Sequence, residues 1–101
     1  MAFYRLLRLG ELADFDRRVI RVAGRELLII GASPEPVVVD NQCPHQGFPL
    51  AQGALDEHSI TCPRHGFRFR LTSGECLEAP ACRLTRYRVG YDGQWLGVEL
   101  D

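Results

Sequence analysis

Short apolar runs separated by glycine and proline dominate the chain and predict strands. Residues 18–22 alternate between polar and apolar side chains, as a half-buried strand does, and Ala23-Gly24 supplies a turn after them. Residues 27–30 and 37–39 are short, continuous apolar runs, a pattern typical of buried strands. The first half of the chain therefore predicts β-structure.

The C-terminal residues predict a β-hairpin. Residues 87–91 and 94–100 alternate around Asp92-Gly93, a dipeptide that favours a type I′ turn. Residues 10–15 hint at one helical turn, which is too short to persist alone. The predicted fold class is all-β.

Between about residue 41 and residue 82 the apolar periodicity fades, and Pro, Gly, Cys and His accumulate. Loops of this length inside a compact domain are uncommon unless they are functional. We expect one domain over residues 1–101. Base sheets would come from about residues 1–40 and 83–101, and residues 41–82 would form a loop subdomain mounted on them.

Two similar motifs within this segment carry the candidate chemistry. Cys43-Pro44-His45 and Cys62-Pro63-Arg64-His65 repeat a thiol and an imidazole in the same order. Iron in a sulfide cluster prefers soft thiolates and accepts imidazole nitrogen. The predicted metal ligands are Cys43, His45, Cys62 and His65.

Proline and glycine around these ligands suit a metal-binding loop. Proline after each cysteine disfavours helical backbone at that cysteine, so both thiols are held on extended segments. Gly47 and Gly66 can adopt positive φ angles and can approach a cluster closely, with N–H groups turned toward its sulfur atoms. Both glycines are predicted supporting positions.

The split Cys2His2 motif resembles the Rieske [2Fe–2S] signature, in which two imidazoles replace two thiolates on one iron. The resemblance implies an antiparallel β-sandwich with a cluster-binding loop subdomain on a base sheet. It also implies that Pro80, which follows Ser73-Gly74-Glu75, lies in a third loop shielding the cluster. Gly53-Ala54-Leu55 looks like the connecting hairpin of this family.

Within that family, the chain resembles the stand-alone ferredoxins of bacterial ring-hydroxylating dioxygenase systems, and nearly as much the small subunit of assimilatory nitrite reductase. High-potential members have an extra cysteine in each ligand loop and two hydroxyl groups that donate to cluster sulfurs. The corresponding positions here hold other residues, namely Phe48, Arg64, Phe67 and Phe69. We therefore expect a potential near the low end of the Rieske range of about −150 to +300 mV.

The resemblance implies a one-electron carrier rather than an enzyme. Its donor would be a flavin reductase and its acceptor an oxygenase or a reductase, with the chain a monomer. Arg64 stands where these ferredoxins usually have Trp, which makes it a possible partner contact. Arg68 and Arg70 alternate near it, either as a solvated face or as part of a positive rim.

Other interpretations of the cysteines and histidines remain open. The four motif residues could bind zinc in a structural domain, or the two cysteines could form a disulfide. The chain could also be a redox sensor. Cys76 and Cys82 are expected to be small, buried or half-buried thiols. The alternative, a pair bridging across Pro80, is disfavoured in a reducing cytosol. His58 is expected to be an exposed hairpin tip, and Trp95 a packing residue of the sheet.

The composition of the chain limits the classes of partner and the cellular compartment that we expect. The 12 basic residues, all arginine, nearly balance 13 acidic ones, which does not favour nucleic-acid binding. No apolar run approaches the roughly 20 residues of a membrane helix. The first residues lack the features of a secretory signal. We expect a cytoplasmic protein, a compartment in which disulfides are rare.

Overall fold

The computed structural model describes residues 2–32, 35–44, 47–64, 66–79 and 81–100, and the described chain is all-β, as predicted. Its helical content is one short 3-10 turn at Leu9–Glu11, which overlaps the start of the helical turn expected over residues 10–15. The strands are β1 (Ala2–Arg8), β2 (Arg17–Val22), β3 (Arg25–Ile30), β4 (Val37–Asp40), β5 (Ala54–Leu55), β6 (Ser59–Thr61), β7 (Arg68–Arg70), β8 (Arg86–Tyr87), β9 (Val89–Asp92) and β10 (Trp95–Leu100).

The strands form three antiparallel sheets. One has the order β1-β10-β9, the second β2-β3-β4-β8, and the third is the small sheet β5-β6-β7. Strands β3 and β4 occupy the middle of the four-stranded sheet and are hydrogen-bonded on both sides. This central pair is the frame on which the other two sheets are arranged.

Strand β3 is buried on both faces, which explains its continuous apolar run. Side chains alternate across a strand, so Leu28 and Ile30 join one core cluster while Leu27 and Ile29 join another. The register pairs Leu28 with Val39 on β4, and both belong to the first cluster. The predicted buried strands over residues 27–30 and 37–39 are confirmed.

Different parts of the chain cover the two faces of the central sheet. The cluster containing Leu27 also contains Leu7, Leu96 and Val98, which come from the sheet β1-β10-β9. The cluster containing Leu28 is completed by buried residues between Cys43 and Leu84. The predicted β-sandwich is thus present, with the motif-bearing segment on its second face.

The C-terminal hairpin forms, but its turn lies one residue later than predicted. Asp92 is the last paired residue of β9 and lies opposite Trp95, so Gly93 and Gln94 make the connection. Gly93 has φ +61°, and Gln94 is outside the left-handed region, which fits the signs of a type II′ turn. An ion pair of 2.6 Å with Arg5 keeps Asp92 within the sheet.

The predicted strand over residues 87–91 is divided between two sheets. Arg86–Tyr87 pairs with β4, whereas Val89–Asp92 pairs with β10, and Arg88 lies at the crossing. The Tyr87 hydroxyl donates to the Asp40 carboxylate, which ties this corner to the end of β4. Burial, followed by this hydrogen bond, raises the pKa of Tyr87.

Gly97 provides a test of the sheet β1-β10-β9, the outer sheet. A Cβ there would clash with the Tyr4 carbonyl oxygen and would lie 2.5 Å from Cζ of Phe3, whose ring packs over this position. We expect Gly97→Ala to destabilise the fold by about 1–3 kcal/mol through overpacking. Chemical denaturation would measure this, with Gly10→Ala as the control because no heavy atom lies within 4 Å of a Cβ there. Equal stabilities of the two variants would contradict the packing described.

Candidate metal centre

The two motif loops have the same backbone hydrogen bonds. In the first, the Cys43 N–H donates to the Phe48 carbonyl at 2.7 Å, and the Gly47 N–H donates to the Cys43 carbonyl at 2.6 Å. In the second, the Cys62 N–H donates to Phe67 at 2.8 Å and the Gly66 N–H donates to Cys62 at 3.0 Å. Each loop is therefore a closed six-residue unit that begins at cysteine and ends at phenylalanine.

Gly47 and Gly66 make this closure possible. Their φ angles are +76° and +72°, in the left-handed region that favours glycine, as the sequence predicts. The exposed prolines Pro44 and Pro63 occupy matching positions on the outer side of the two loops. A chain that reverses at each glycine places the cysteine inward and the proline outward.

Both motif thiols point into the protein. Cys43 and Cys62 are each 1% exposed and belong to the same core cluster as Leu28 and Val39 of the central sheet. Neither is in a disulfide, which removes that alternative for this structure. Two buried thiols on matched loops fit the sulfur half of the donor set that a [2Fe–2S] cluster needs.

The other predicted ligands, His45 and His65, and the predicted shielding residue Pro80 lie outside the described residues. The described residues alone contain no group of three or more His, Cys, Asp and Glu side chains able to hold a metal ion. What the described part of the site contributes is thus the thiol pair, the loop closures and the apolar surface beneath them.

Asn41, two residues before Cys43, closes the base of the first loop. It is 6% exposed, and its Oδ1 accepts hydrogen bonds from the N–H groups of Leu50 and Ala51, both at 2.9 Å. Its Nδ2 donates to Glu26 on β3, also at 2.9 Å. One buried amide thus joins both ends of the loop to the central sheet.

Arg17, at the start of β2, holds the same segment from a second side. Its Nη1 donates to the Ala51 carbonyl at 2.7 Å and to the Gly53 carbonyl at 2.5 Å. These bonds anchor the connection that leads from the first loop into β5, in the hairpin expected around Gly53-Ala54-Leu55. No local motif in the sequence marks Arg17 or Asn41.

Arg64 bridges the two motif loops. Its guanidinium carbon lies 4.6 Å from the centre of the Phe48 ring, which closes the other loop, while its side chain remains exposed. A cation over an aromatic face contributes about 0.5–1 kcal/mol at an exposed position. This contact links the loops without a covalent bond.

The neighbouring arginines carry compensated charges. Arg68 forms an ion pair of 2.7 Å with Glu78, and Arg70 lies 3.7 Å from Glu75. Hydrogen bonds from the Arg68 backbone and side chain lower the pKa of Glu78. These pairs favour the solvated-face interpretation of Arg68 and Arg70 over a continuous positive rim.

Two further residues, His58 and Trp95, behave as expected. The side chain of His58 is 85% exposed in the loop between β5 and β6. Trp95 packs in the outer sheet. The guanidinium carbons of Arg5 and Arg8 lie over its ring, 5.6 and 5.2 Å from the ring centre. None of these side chains is drawn into the motif loops.

Comparison with known proteins gives close parallels for the whole chain. It is 31% identical over 93 residues to the ferredoxin component of the naphthalene 1,2-dioxygenase system of Pseudomonas aeruginosa, covering 91% of this chain and 89% of the relative. The corresponding component from Pseudomonas putida is 32% identical over the same length. Both relatives are electron-transfer components of multi-component systems.

Solved structures show the same fold. The ferredoxin of carbazole 1,9a-dioxygenase from Nocardioides aromaticivorans IC177 superposes with a TM-score of 0.86 at 23% identity, covering 97% of each chain. A protein assigned as the small subunit of an NADPH nitrite reductase superposes with a TM-score of 0.81 at 20% identity, covering 99% of this chain and 100% of the other.

Matched loops with inward thiols on an all-β sandwich define an iron–sulfur electron-transfer domain. Residues 2–88 match the family model of the Rieske [2Fe-2S] domain, and the chain belongs to that family. It carries a Rieske-type [2Fe–2S] cluster, and it is an electron carrier with redox proteins as partners rather than a catalytic subunit. Within the described residues, no helix has the length and apolar character to span a membrane.

Asn41 provides a test of loop anchoring. Asn41→Ala leaves the N–H groups of Leu50 and Ala51 without their acceptor, so we expect a loss of about 2–4 kcal/mol in unfolding free energy and less iron per chain. Asn41→Asp keeps the acceptor but sets a second carboxylate against Glu26. Its unfolding free energy and iron content should therefore lie between those of the wild type and of Asn41→Ala. The exposed neighbour Gln42 provides the control, Gln42→Ala. If Asn41→Ala matched the control in denaturation and iron content, the anchoring role would be wrong.

Proposed function

We propose that Cys43, His45, Cys62 and His65 hold the cluster, with the two thiolates on one iron and the two imidazoles on the other. The support is the matched pair of loops, which turn both thiols inward at corresponding positions. Spacing in the sequence adds one imidazole to each loop. A zinc site is disfavoured because family membership brings a [2Fe–2S] cluster instead.

We propose supporting roles for the two loop glycines and for Pro80. Gly47 and Gly66 have positive φ angles, and their N–H groups donate to the cysteine carbonyl of the same loop, whereas the sequence predicts N–H groups turned toward the cluster sulfur atoms. Pro80 belongs to the segment that follows Cys76, and Cys76 packs in the same core cluster as Cys43 and Cys62. A proline there would cover the cluster from the third side, as in the family to which the chain belongs.

The bound cluster supplies one-electron redox chemistry. The chain's own residues determine how it is buried and where it meets solvent. Apolar side chains of the central sheet exclude water from the inner, sulfur side. On the outer side Pro44, Pro63, Arg64 and Gly66 are all exposed. We infer that electrons enter and leave through this exposed end, beside the two histidines.

The midpoint potential is expected to lie below about 0 mV, toward the low end of the Rieske range. Phe48, Phe67 and Phe69 stand where high-potential members have cysteines and hydroxyl donors, and all three rings are buried or partly buried. Without hydroxyl donors, the more negative reduced state is stabilised less. Protein-film voltammetry provides the measurement, and a value above about +150 mV would contradict this expectation.

We propose that the electron passes from a flavin reductase to a terminal oxidoreductase, in particular a ring-hydroxylating dioxygenase. The similarity to naphthalene dioxygenase ferredoxin components over 91% of the chain supports this. A chain of the reduced complex between oxygenase and ferredoxin in carbazole 1,9a-dioxygenase shares the fold, which supports an oxygenase as the partner class. The alternative, a small subunit of a nitrite reductase, is supported by a likeness of fold at 20% identity.

Reconstitution tests this function. The cluster-loaded chain is added to a flavin-dependent ferredoxin reductase and the oxygenase of a naphthalene-type system, and NADH-dependent product formation is measured. We expect turnover that increases with the amount of the chain and is abolished by Cys43→Ser. If no reductase of this class reduces the chain, and it instead co-purifies with a sirohaem protein, the nitrite reductase assignment replaces this one.

Arg64 is proposed to contact an acidic surface of the partner. It is exposed beside the predicted ligand His65, whereas the charges of Arg68 and Arg70 are paired with Glu78 and Glu75. Charge complementarity between two proteins chiefly accelerates their association, and added salt reduces that acceleration.

We expect Arg64→Gln to slow electron transfer to the acceptor about 3–10-fold at low ionic strength and to reduce the salt dependence of the rate. Arg64→Lys should retain most of the rate. Arg18→Gln removes the same charge from the exposed face of β2 and provides the matched control. Stopped-flow reduction of the partner measures the rates, and equal effects of Arg64→Gln and Arg18→Gln would exclude a specific contact.

The domain organisation of the chain, its oligomeric state and its location follow as proposals. We propose that residues 1–101 form one domain, in which base sheets from about residues 1–40 and 83–101 support a cluster-binding subdomain at about residues 41–82. The small sheet β5-β6-β7 falls within that subdomain. We further propose that the carrier is monomeric and cytoplasmic.

A further inference from the structure

Cys76 and Cys82 lie outside the ligand motif, each next to one residue of an isolated bridge. Glu75 and Arg83 form this antiparallel bridge, and one further step in the same register would set Cys76 opposite Cys82. The Leu84 N–H donates to the Gly74 carbonyl at 2.8 Å, on the other side of that bridge, which fixes the register. From the sequence alone, two small thiols are the favoured expectation here and a bridge across Pro80 the disfavoured one.

The distance and direction implied by this register suit a disulfide. Residues directly opposite in an antiparallel pair have Cα atoms about 4.5–5.5 Å apart, and their side chains project from the same face. Disulfides usually join Cα atoms about 4.4–6.8 Å apart. Both thiols pack against the same core cluster, Cys76 within it and Cys82 at its margin.

The electrostatics of Cys82 agree with this register. Burial, followed by the charge of Cys76, raises the pKa of the Cys82 thiol. An electrostatic effect of one thiol on the other requires proximity. Both cysteines are thiols in this structure, so the reduced form is the one described.

Described residues on both sides of Pro80 are tied to their neighbours. The Leu77 N–H donates to the Arg68 carbonyl at 2.9 Å, and Glu78 pairs with Arg68. The Cys82 N–H donates to the Ala79 carbonyl at 2.8 Å. Both cysteines thus lie next to residues that backbone hydrogen bonds hold.

We propose that Cys76 and Cys82 are a redox-active thiol pair that forms an intramolecular disulfide when it meets a small-molecule disulfide such as glutathione disulfide. The site does not depend on the assignment of the cluster ligands. Its oxidation would covalently close the segment that follows β7, beside the second motif loop.

Exposure determines the order of the two steps. Cys82 is partly exposed, whereas Cys76 is 2% exposed and cannot reach an external oxidant. The Cys82 thiolate attacks the oxidant, breaks its S–S bond and releases one glutathione thiolate. The Cys76 thiolate then attacks Cys82 Sγ, forms the Sγ–Sγ bond and releases the second. The protein loses two electrons and two protons, and the oxidant becomes two molecules of glutathione.

The experiment treats the cluster-loaded protein with glutathione disulfide at about pH 8.5, because the raised pKa keeps Cys82 protonated at neutral pH. Iodoacetamide then blocks the remaining thiols, and mass spectrometry of the intact protein and of its peptides locates each bond. Visible absorption before and after treatment reports whether the cluster is retained.

In the wild type we expect a Cys76–Cys82 linked peptide, no bound glutathione and unchanged cluster absorption. Cys76→Ala should accumulate one glutathione on Cys82, since the resolving thiol is missing. Cys82→Ala should leave Cys76 unmodified by glutathione. A glutathione adduct in Cys76→Ala and none in Cys82→Ala would show that Cys82 reacts first and Cys76 resolves the adduct. Two independent thiols would not give this difference.

Two results would overturn the proposal. One is wild-type protein in which Cys76 and Cys82 both remain alkylatable after the oxidant has fully converted a dithiol peptide in the same solution. The other is a stable glutathione adduct on wild-type Cys82 that Cys76 does not resolve. A wrong assignment of the cluster ligands would give a different result. It would appear as unchanged iron content in Cys43 and Cys62 variants, whatever happens at Cys76 and Cys82.

Discussion

The closure of the two motif loops by the same pair of hydrogen bonds is the constraint on which the rest of the site depends. In each loop the cysteine N–H meets the carbonyl of the phenylalanine five residues later, and the glycine N–H returns to the cysteine carbonyl. The cysteine must then point inward. Because both loops obey this geometry, two thiols become buried side groups of one core, and a cluster can be held between two independent chain segments.

The central sheet allows those thiols to be buried. Strands β3 and β4 face the outer sheet with one set of side chains and the motif segment with the other, so apolar side chains form the floor of the site. Asn41 and Arg17 attach the first loop to this floor through buried or partly buried hydrogen bonds. The fold thus supplies an apolar inner side and leaves the outer side to solvent and partners.

Local patterns in the sequence predict most of the fold and the thiol half of the site. The apolar runs at residues 27–30 and 37–39 indicate buried strands, and the repeated Cys-Pro motif indicates both loops. The repeat includes more than the ligands, since Gly and Phe also recur four and five residues after each cysteine. An alignment of the two loops on their cysteines shows this longer repeat. The division of residues 86–92 between two sheets and the displaced turn at Asp92 depend on partners far along the chain, such as Arg5. Asn41 and Arg17 depend equally on distant contacts, which local periodicity does not encode.

Pulsed EPR of the reduced protein, with and without ¹⁵N-labelled histidine, tests the central claim of uneven ligation most directly. The account predicts hyperfine coupling to two histidine nitrogens that changes with the label and persists in His58→Ala, because His58 is exposed and outside the motif. A reduced cluster with no histidine coupling, or a purified protein that holds zinc without iron or sulfide, would contradict it.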